Sequence, residues 1–522
     1  MDYSKMTLRE KVLQTFVTCA YFIKKEKSIE EFFRKYPVGG LYFAKSQVQD
    51  LAAEMEDGTI TSASFIDKCR AASAQPLLVC ADGANIGDNG ISGIHPMSLA
   101  ATRDYALAYE VGKAYGMQMN YNKIDWILGP CIDMGFCHVT ELVSSVATDD
   151  ADLNAAMYSA WVRGIQSEGV MATVKHFPGL GTHPVNFHYG PGQNIMDMDT
   201  WMDTYGRSYL ACFREDCMSV MTSHLTLRAW SEKGDNGRYP IATYSSALTV
   251  GLLKEKLGFR GAVVTDALMM GGMGAGNQAE EAAQAFASGA DLLLWPPMET
   301  CDIIVEKLER GEIPMSRLED ALARIEYVRS FLGYKGKERE YRAADPDYVD
   351  SVFRTVTERG ITLVANEKGI LPLSPDRYKK ILVVGCAENE GKMKQLHPIV
   401  DALRARGFEA DFQEYLLLAW QDQVNALQDK YDLVLVVYNC PLMLCVNANC
   451  ASTTWSSHLL DKSKSMFLNF SSPHFADDYF PEAKTFVNVH AGVNQMTIPA
   501  AIARLCGDVP FEGTSPVTLK RA

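Results

Sequence analysis

The sequence predicts an α/β chain, a (β/α)8 TIM-like barrel followed by a smaller α/β layered domain. Three observations carry that prediction. Short β-branched apolar runs alternate with stretches of helical spacing through the first part of the chain, as a parallel sheet with crossover helices requires. Polar side chains recur just after those runs, where a parallel barrel collects its chemistry. A charged stretch then breaks the rhythm before a second, shorter alternation begins.

In chain order the candidate barrel strands are Gly40 to Phe43, Pro76 to Ala81, Trp126 to Pro130, Val170 to Val174, Ser219 to Thr222, Ala262 to Thr265 and Asp291 to Trp295. Segments such as Ala151 to Gln166, with apolar residues at helical spacing, separate them. An eighth strand is not evident. The barrel is expected over residues 1–334 and a linker or surface helix over 335–356, centred on KGKEREYRAADPDYVD. The second domain is expected over 357–522, with strand-like runs at Ile381 to Gly385, Leu433 to Tyr438, Met466 to Phe470 and Phe486 to Val489 and a helix at Pro398 to Arg406. No internal repeat or low-complexity tract interrupts the chain.

Composition bounds the function. With 47% hydrophobic and 22% charged residues over 522 positions, the chain has the make-up of a globular enzyme with large cores. A formal net charge of −14 disfavours nucleic acid and anionic membranes, both of which attract basic faces. The N-terminus lacks the cationic start and uninterrupted apolar run of a signal peptide, so a cytoplasmic location is expected. Most of the 13 cysteines, among them Cys19, Cys80 and Cys386, lie in apolar surroundings that suit reduced core thiols. Cys440, Cys445 and Cys450 are evenly spaced but lack the paired pattern of a zinc site, so no metal and no organic cofactor are expected. Neither a dinucleotide fingerprint nor a phosphate loop is present.

The polar groups at strand ends are Asp82, Asp133, Lys175-His176, Ser223-His224, Asp266 and Glu299. Each alone could be a helix N-cap. The densest is the stretch Lys175-His176-Phe177-Pro178-Gly179-Leu180-Gly181, which continues through His183 to Asn186-Phe187-His188. Here an apolar strand ends abruptly at a proline and two glycines, and a cation and an imidazole emerge from it.

KHFPGLGTHPVNFH resembles the signature of glycoside hydrolase family 3, in the branch that includes bacterial β-N-acetylhexosaminidases, where the usual form is KHFPGHG and a short loop ending Asp-Ser-His. The resemblance extends to ITLVANEKGILPL, similar to the entry of the family's second domain, and to the closing FEGTSPVTL. It implies a family 3 catalytic barrel and a retaining β-glycosidase, acting on small β-N-acetylhexosaminides or related β-glycosides through a covalent glycosyl-enzyme intermediate. In Gly261-Ala262-Val263-Val264-Thr265-Asp266-Ala267-Leu268, Asp266 matches the family's nucleophile. His188 matches a loop histidine that serves as acid/base, while Lys175, His176 and Asp82 match groups that hold sugar hydroxyls. His224 in Met221-Thr222-Ser223-His224 matches a position expected to support these groups, and Met269, Met270 and Met273 read as packing.

Three positions depart from the family's pattern. Asn186 stands where an aspartate orients the histidine; an amide fixes the imidazole tautomer but stabilises the protonated ring only weakly. Asp82-Gly83-Ala84-Asn85-Ile86 replaces Asp-x-Glu-Gly-Gly. Ser144-Ser145-Val146-Ala147 replaces an Arg-Ser-Phe-Gly clamp, and serine cannot supply arginine's cationic fork. Three consequences stay open: a slow hydrolase, an enzyme in which His183 compensates, or a phosphorylase whose anionic acceptor needs no deprotonation. A catalytically weakened sugar-binding protein is the rival from another class. The sugar, the linkage and the oligomeric state are not fixed by the sequence.

Overall fold

A computed structural model describes residues 2–82, 93–138, 145–234, 237–274, 276–440 and 447–520. The chain divides into two compact units. One comprises residues 1–93, 108–137 and 154–349, and the other residues 94–107, 138–153 and 350–522.

The first unit is a parallel barrel. Its strands are β1 (Phe16–Cys19), β2 (Gly40–Tyr42), β3 (Leu78–Ala81), β4 (Trp126–Ile127), β5 (Met171–Phe177), β7 (Ser219–Thr222), β9 (Ala262–Thr265) and β10 (Leu293–Leu294). Between them, β6 (Gly192–Asn194) and β8 (Leu225–Leu227) form a small parallel pair beside the barrel. The sheet runs β10-β1-β2-β3-β4-β5-β7-β9, all parallel. A parallel bridge from Val264 to Leu292, with Thr265 N–H donating to the Leu292 carbonyl at 3.0 Å, brings its two edges together. Alternate strand residues, among them Val17, Leu78, Cys80, Trp126, Met171 and Val264, pack with Ile325, Val328 and Leu332 of the helix Met315–Leu332.

The barrel strand missing from the seven candidates is β1. A capping box, Thr7 with Glu10, starts the helix Leu8–Leu13, and only Gln14 and Thr15 separate that helix from β1. The helix Ala20–Ile23 follows β1 at once. With no Gly, Pro or Asn to punctuate it, the apolar stretch from Val12 to Ile23 carries no turn signal. β1 is nonetheless fully buried and is the strand that joins β10 to β2.

The second unit holds a six-stranded mixed sheet: β11 (Thr362–Asn366), β12 (Lys380–Ala387), β13 (Glu409–Glu414), β14 (Leu433–Asn439), β15 (Ser465–Asn469) and β16 (Thr485–Asn488). Their order is β11-β16-β15-β14-β12-β13, parallel except for β11 against β16. Strand residues alternate between two cores. Ile381, Val383, Leu433 and Leu435 face one side; Leu382, Val384, Val434 and Val436 face the other. Burial on both faces explains why β12 and β14 read as continuous apolar runs. Among the described residues no helix is long and apolar enough to cross a membrane.

Candidate active site

Five barrel strands, β3, β4, β5, β7 and β9, bring the main groups together. β5 stays buried along its length, and its pairing with β7 breaks register between Val174 and Phe177, where Lys175 and His176 lie. Lys175 Nζ reaches Asp82 Oδ1, just beyond β3, at 3.0 Å. Burial alone would push the ammonium down, but Asp82 and, more weakly, Asp266 hold its pKa above the usual lysine value, so it stays charged.

His176 is fixed by Asp133, which follows β4. Its Nδ1 lies 2.6 Å from Asp133 Oδ2, and its backbone N–H donates to the same oxygen at 3.1 Å. Leu180 N–H donates to Oδ1 at 2.6 Å, and the Cys131 thiol donates to Oδ2 at 3.2 Å. The carboxylate therefore binds both ends of the turn 176–180 and directs Nε2 of the imidazole away from itself. Gly181 makes the turn feasible, because a Cβ there would lie 1.8 Å from the Met134 carbonyl oxygen, and its φ is +109°. Cys131, Asp133 and His176 lie close enough to share a metal ion, but the hydrogen bonds to Asp133 already account for that cluster.

Asp266 follows β9 directly. Its Oδ2 accepts from the Ser223 hydroxyl at 2.9 Å and its Oδ1 from Ala267 N–H at 2.8 Å. Burial pushes this carboxyl up, yet His176, His224, the Ala267 N–H and Lys175 outweigh it and hold the pKa below the usual aspartate value. Burial keeps His224 itself toward its neutral form. The result is a buried carboxylate, ionised at neutral pH, with the Lys175 ammonium among the groups that act on it.

His224 Nε2 donates to the Ala267 carbonyl at 3.1 Å, and Nδ1 meets the Thr243 hydroxyl at 2.8 Å. The ring thus ties the end of β7 to the residue after Asp266.

His188 lies on the loop beyond Gly181 and is exposed. Asn186 Oδ1 takes two hydrogen bonds from it, from the backbone N–H at 2.9 Å and from ring Nδ1 at 2.9 Å. A backbone N–H only donates, so the facing atom is the amide oxygen and Nδ1 carries a proton. Nε2 is then the nitrogen that exchanges protons. The loop is anchored close to Asp266's segment: Gly271 N–H donates to the His188 carbonyl at 2.8 Å, and a Cβ on Gly272 would lie 2.3 Å from the Phe187 oxygen. The buried Phe187 ring sits between the two imidazoles, 5.1 Å from His176 and 4.5 Å from His188.

The other sequence candidates fare differently. His183 accepts the Val185 N–H on its Nδ1 at 3.3 Å, which engages that nitrogen in its own turn. Glu299 begins the helix Thr300–Glu309. Of the three methionines, Met273 is buried and Met270 packs on the barrel core, but Met269 is exposed, because the chain has already left the strand there. Residues 83–86 and Ser144 lie outside the described residues, whereas Ser145, Val146 and Ala147 are buried. The sequence reading placed Asp133 and Ser223 at strand ends without a role. Position was their only signal, since their partners, His176 and Asp266, are 43 residues away in each case.

The model for the glycosyl hydrolase family 3 N-terminal domain matches residues 7–328. A β-N-acetylglucosaminidase/β-glucosidase from Cellulomonas fimi is 26% identical to the chain, over 97% of it and 93% of the relative. Among solved structures, a β-glucoside phosphorylase superposes with a TM-score of 0.82 at 23% identity, covering 99% of this chain and 94% of that one. A family 3 β-N-acetylglucosaminidase from Paenibacillus sp. str. FPU-7 does so with a TM-score of 0.76 at 23% identity, covering 99% and 100%.

Proposed function

Because the chain belongs to glycoside hydrolase family 3, we propose that it cleaves β-N-acetylhexosaminides or related β-glycosides with retention, through a covalent intermediate on Asp266. The observation that carries this reading is the state of Asp266: buried, ionised, and held at a strand end by Ser223 and the Ala267 amide. A nucleophile needs that state. Its Oδ1 or Oδ2 would attack the anomeric carbon as the bond to the leaving oxygen breaks, while Lys175, Asp82 and His176 hold sugar hydroxyls.

His188 would give its proton to the leaving oxygen and then take one from water. The exposed loop position suits a group that must meet the aglycone and the entering acceptor. Asp133 is a positioning residue that acts through His176.

A panel of nitrophenyl β-glycosides tests the reading, together with a 2-deoxy-2-fluoro glycoside that traps the intermediate. The adduct is expected on Asp266, and Asp266→Ala is expected to lower kcat/KM by about 10³-fold or more. An adduct elsewhere, or near-normal turnover by the variant, refutes the assignment. Sugar binding without turnover on any glycoside would instead make the chain a binding protein.

One observation favours a second reading. His188 Nδ1 meets an amide, not a carboxylate, which weakens the ring as a base toward water but does not hinder an acceptor that arrives as an anion. Phosphorolysis then predicts faster turnover in phosphate, with a sugar 1-phosphate as product. Equal rates with and without phosphate eliminate it.

A further inference from the structure

Three cysteines distant in sequence converge in the second unit. Cys386 lies near the end of β12, Cys440 directly follows β14, and Cys450 is in the first turn of the helix Ala448–His458. All three are buried, and their sulfurs lie within 4.8 Å of one another. Cys440 Sγ and Cys450 Sγ are 3.8 Å apart.

The place in the sheet is as informative as the spacing. β12 has β13 on one side and β14 on the other, so the chain leaves β12 in one direction and then builds the rest of the sheet in the opposite one. In open α/β sheets, ligands are held outside the carboxyl ends of the strands at such a reversal. Cys386 and Cys440 stand at those ends of β12 and β14.

Metal–thiolate bonds of about 2.3 Å in a tetrahedral arrangement separate the sulfurs by about 3.8 Å, the distance found between Cys440 and Cys450. A donor set of sulfur alone selects a soft ion. Asn447 caps the helix by accepting the Cys450 N–H at 2.8 Å, which places that sulfur at the positive end of the helix dipole. The Cys450 thiol donates to the Ala387 carbonyl at 3.2 Å and the Cys440 thiol to the Cys386 carbonyl at 3.7 Å, so backbone oxygens aim both sulfurs.

We propose that Cys386, Cys440 and Cys450 form a three-thiolate site for a thiophilic d10 cation, Zn2+ or Cu+, which pins the switch point of the second unit. On binding, the three S–H protons of Cys386, Cys440 and Cys450 pass to solvent as three sulfur–metal bonds form, with no change of oxidation state.

The test uses the full chain, reduced and demetallated without oxygen. One arm titrates Co2+ and then Zn2+, and the other titrates Cu+ against a chromophoric chelator; the arm that saturates identifies the ion. Wild type is expected to bind one ion more than Cys386→Ser or Cys450→Ser, with a thiolate-to-cobalt charge-transfer band if the ion is Zn2+, and Cys506→Ser is expected to bind as wild type does. Equal uptake by wild type and both variants in both arms overturns the site. Should the variants not fold, alkylation of wild type with and without metal decides: protection of Cys386, Cys440 and Cys450 supports the proposal, and its absence overturns it. A Cys440–Cys450 disulfide that persists under the reducing conditions also overturns it.

Discussion

At the residue scale, the orientation of His188 by an amide has the sharpest chemical consequence. Asn186 accepts the backbone N–H and the ring N–H of the histidine two positions on, a contact local enough to be legible in the sequence. An aspartate there would accept the same two bonds and add a charge that stabilises the imidazolium. Asn186→Asp is therefore expected to raise hydrolysis in phosphate-free buffer by about 10-fold or more, and to move the basic limb of the rate profile to higher pH. A rate unaffected by the change would show that another group moves the proton. Asp266 was legible for a similar reason, as the polar end of a β-branched run. Asp133 was not: its meaning lies in the bonds it makes across to His176 and Leu180, on the next strand and its turn, and no pattern within its own strand reports them.

At the scale of elements, the strands with clear punctuation were legible and two kinds were not. β1 is fused to helices on both sides, and β13, at the sheet edge, mixes exposed Glu409 and Asp411 with buried Ala410, a pattern without a continuous apolar run. The loop that carries His188 depends on a contact between elements. Gly272 lies where a Cβ would meet the Phe187 oxygen at 2.3 Å and the His224 Cβ at 2.8 Å, so Gly272→Ala must push the loop away. Turnover is expected to fall on the order of 10²-fold, with a stability cost of about 1–3 kcal/mol. A loss of stability with kcat intact would separate the loop's position from catalysis.

Asp125, just before β4, anchors a second set of elements. Its Oδ2 accepts from Arg70, Val79 N–H and Tyr334, each at 2.8 Å, and its Oδ1 from Arg339 at 2.8 Å and Tyr341 at 2.6 Å. The charged stretch after residue 334 thus straps the amino-terminal ends of β3 and β4. Asp125→Ala leaves two buried guanidinium groups uncompensated, and chemical denaturation should show a loss of about 3–5 kcal/mol. A loss under about 1 kcal/mol would mean the strap contributes little.

At the scale of the whole molecule, the two units are expected to respond differently to acid. In the second unit, burial pushes His95 down to about 4 and His474 and His490 each to about 3, and neither ring nitrogen of His474 has a hydrogen-bond partner among the described residues. The unfolded chain takes up a proton at each near 6.5. Between those values the unfolded state binds protons that the folded state does not, so stability is complete above about 6.5 and falls as the pH drops toward the folded values. Each histidine contributes up to about 1.4 kcal/mol per pH unit in that window. In the barrel unit burial also lowers His224, while burial's upward push on Asp125, Asp266 and Asp320 is overcome by neighbouring charges and hydrogen bonds, so these carboxyls are depressed. Depressed carboxyls keep their contribution down to the unfolded value of about 3.9 and lose it only below. Between about pH 7.5 and pH 5, hydrogen exchange should therefore report a larger loss of protection in β12, β14, β15 and β16 than in β5, β7 and β9. Equal losses in the two units, or none in the second, would mean that those buried histidines gain protons without opening the fold.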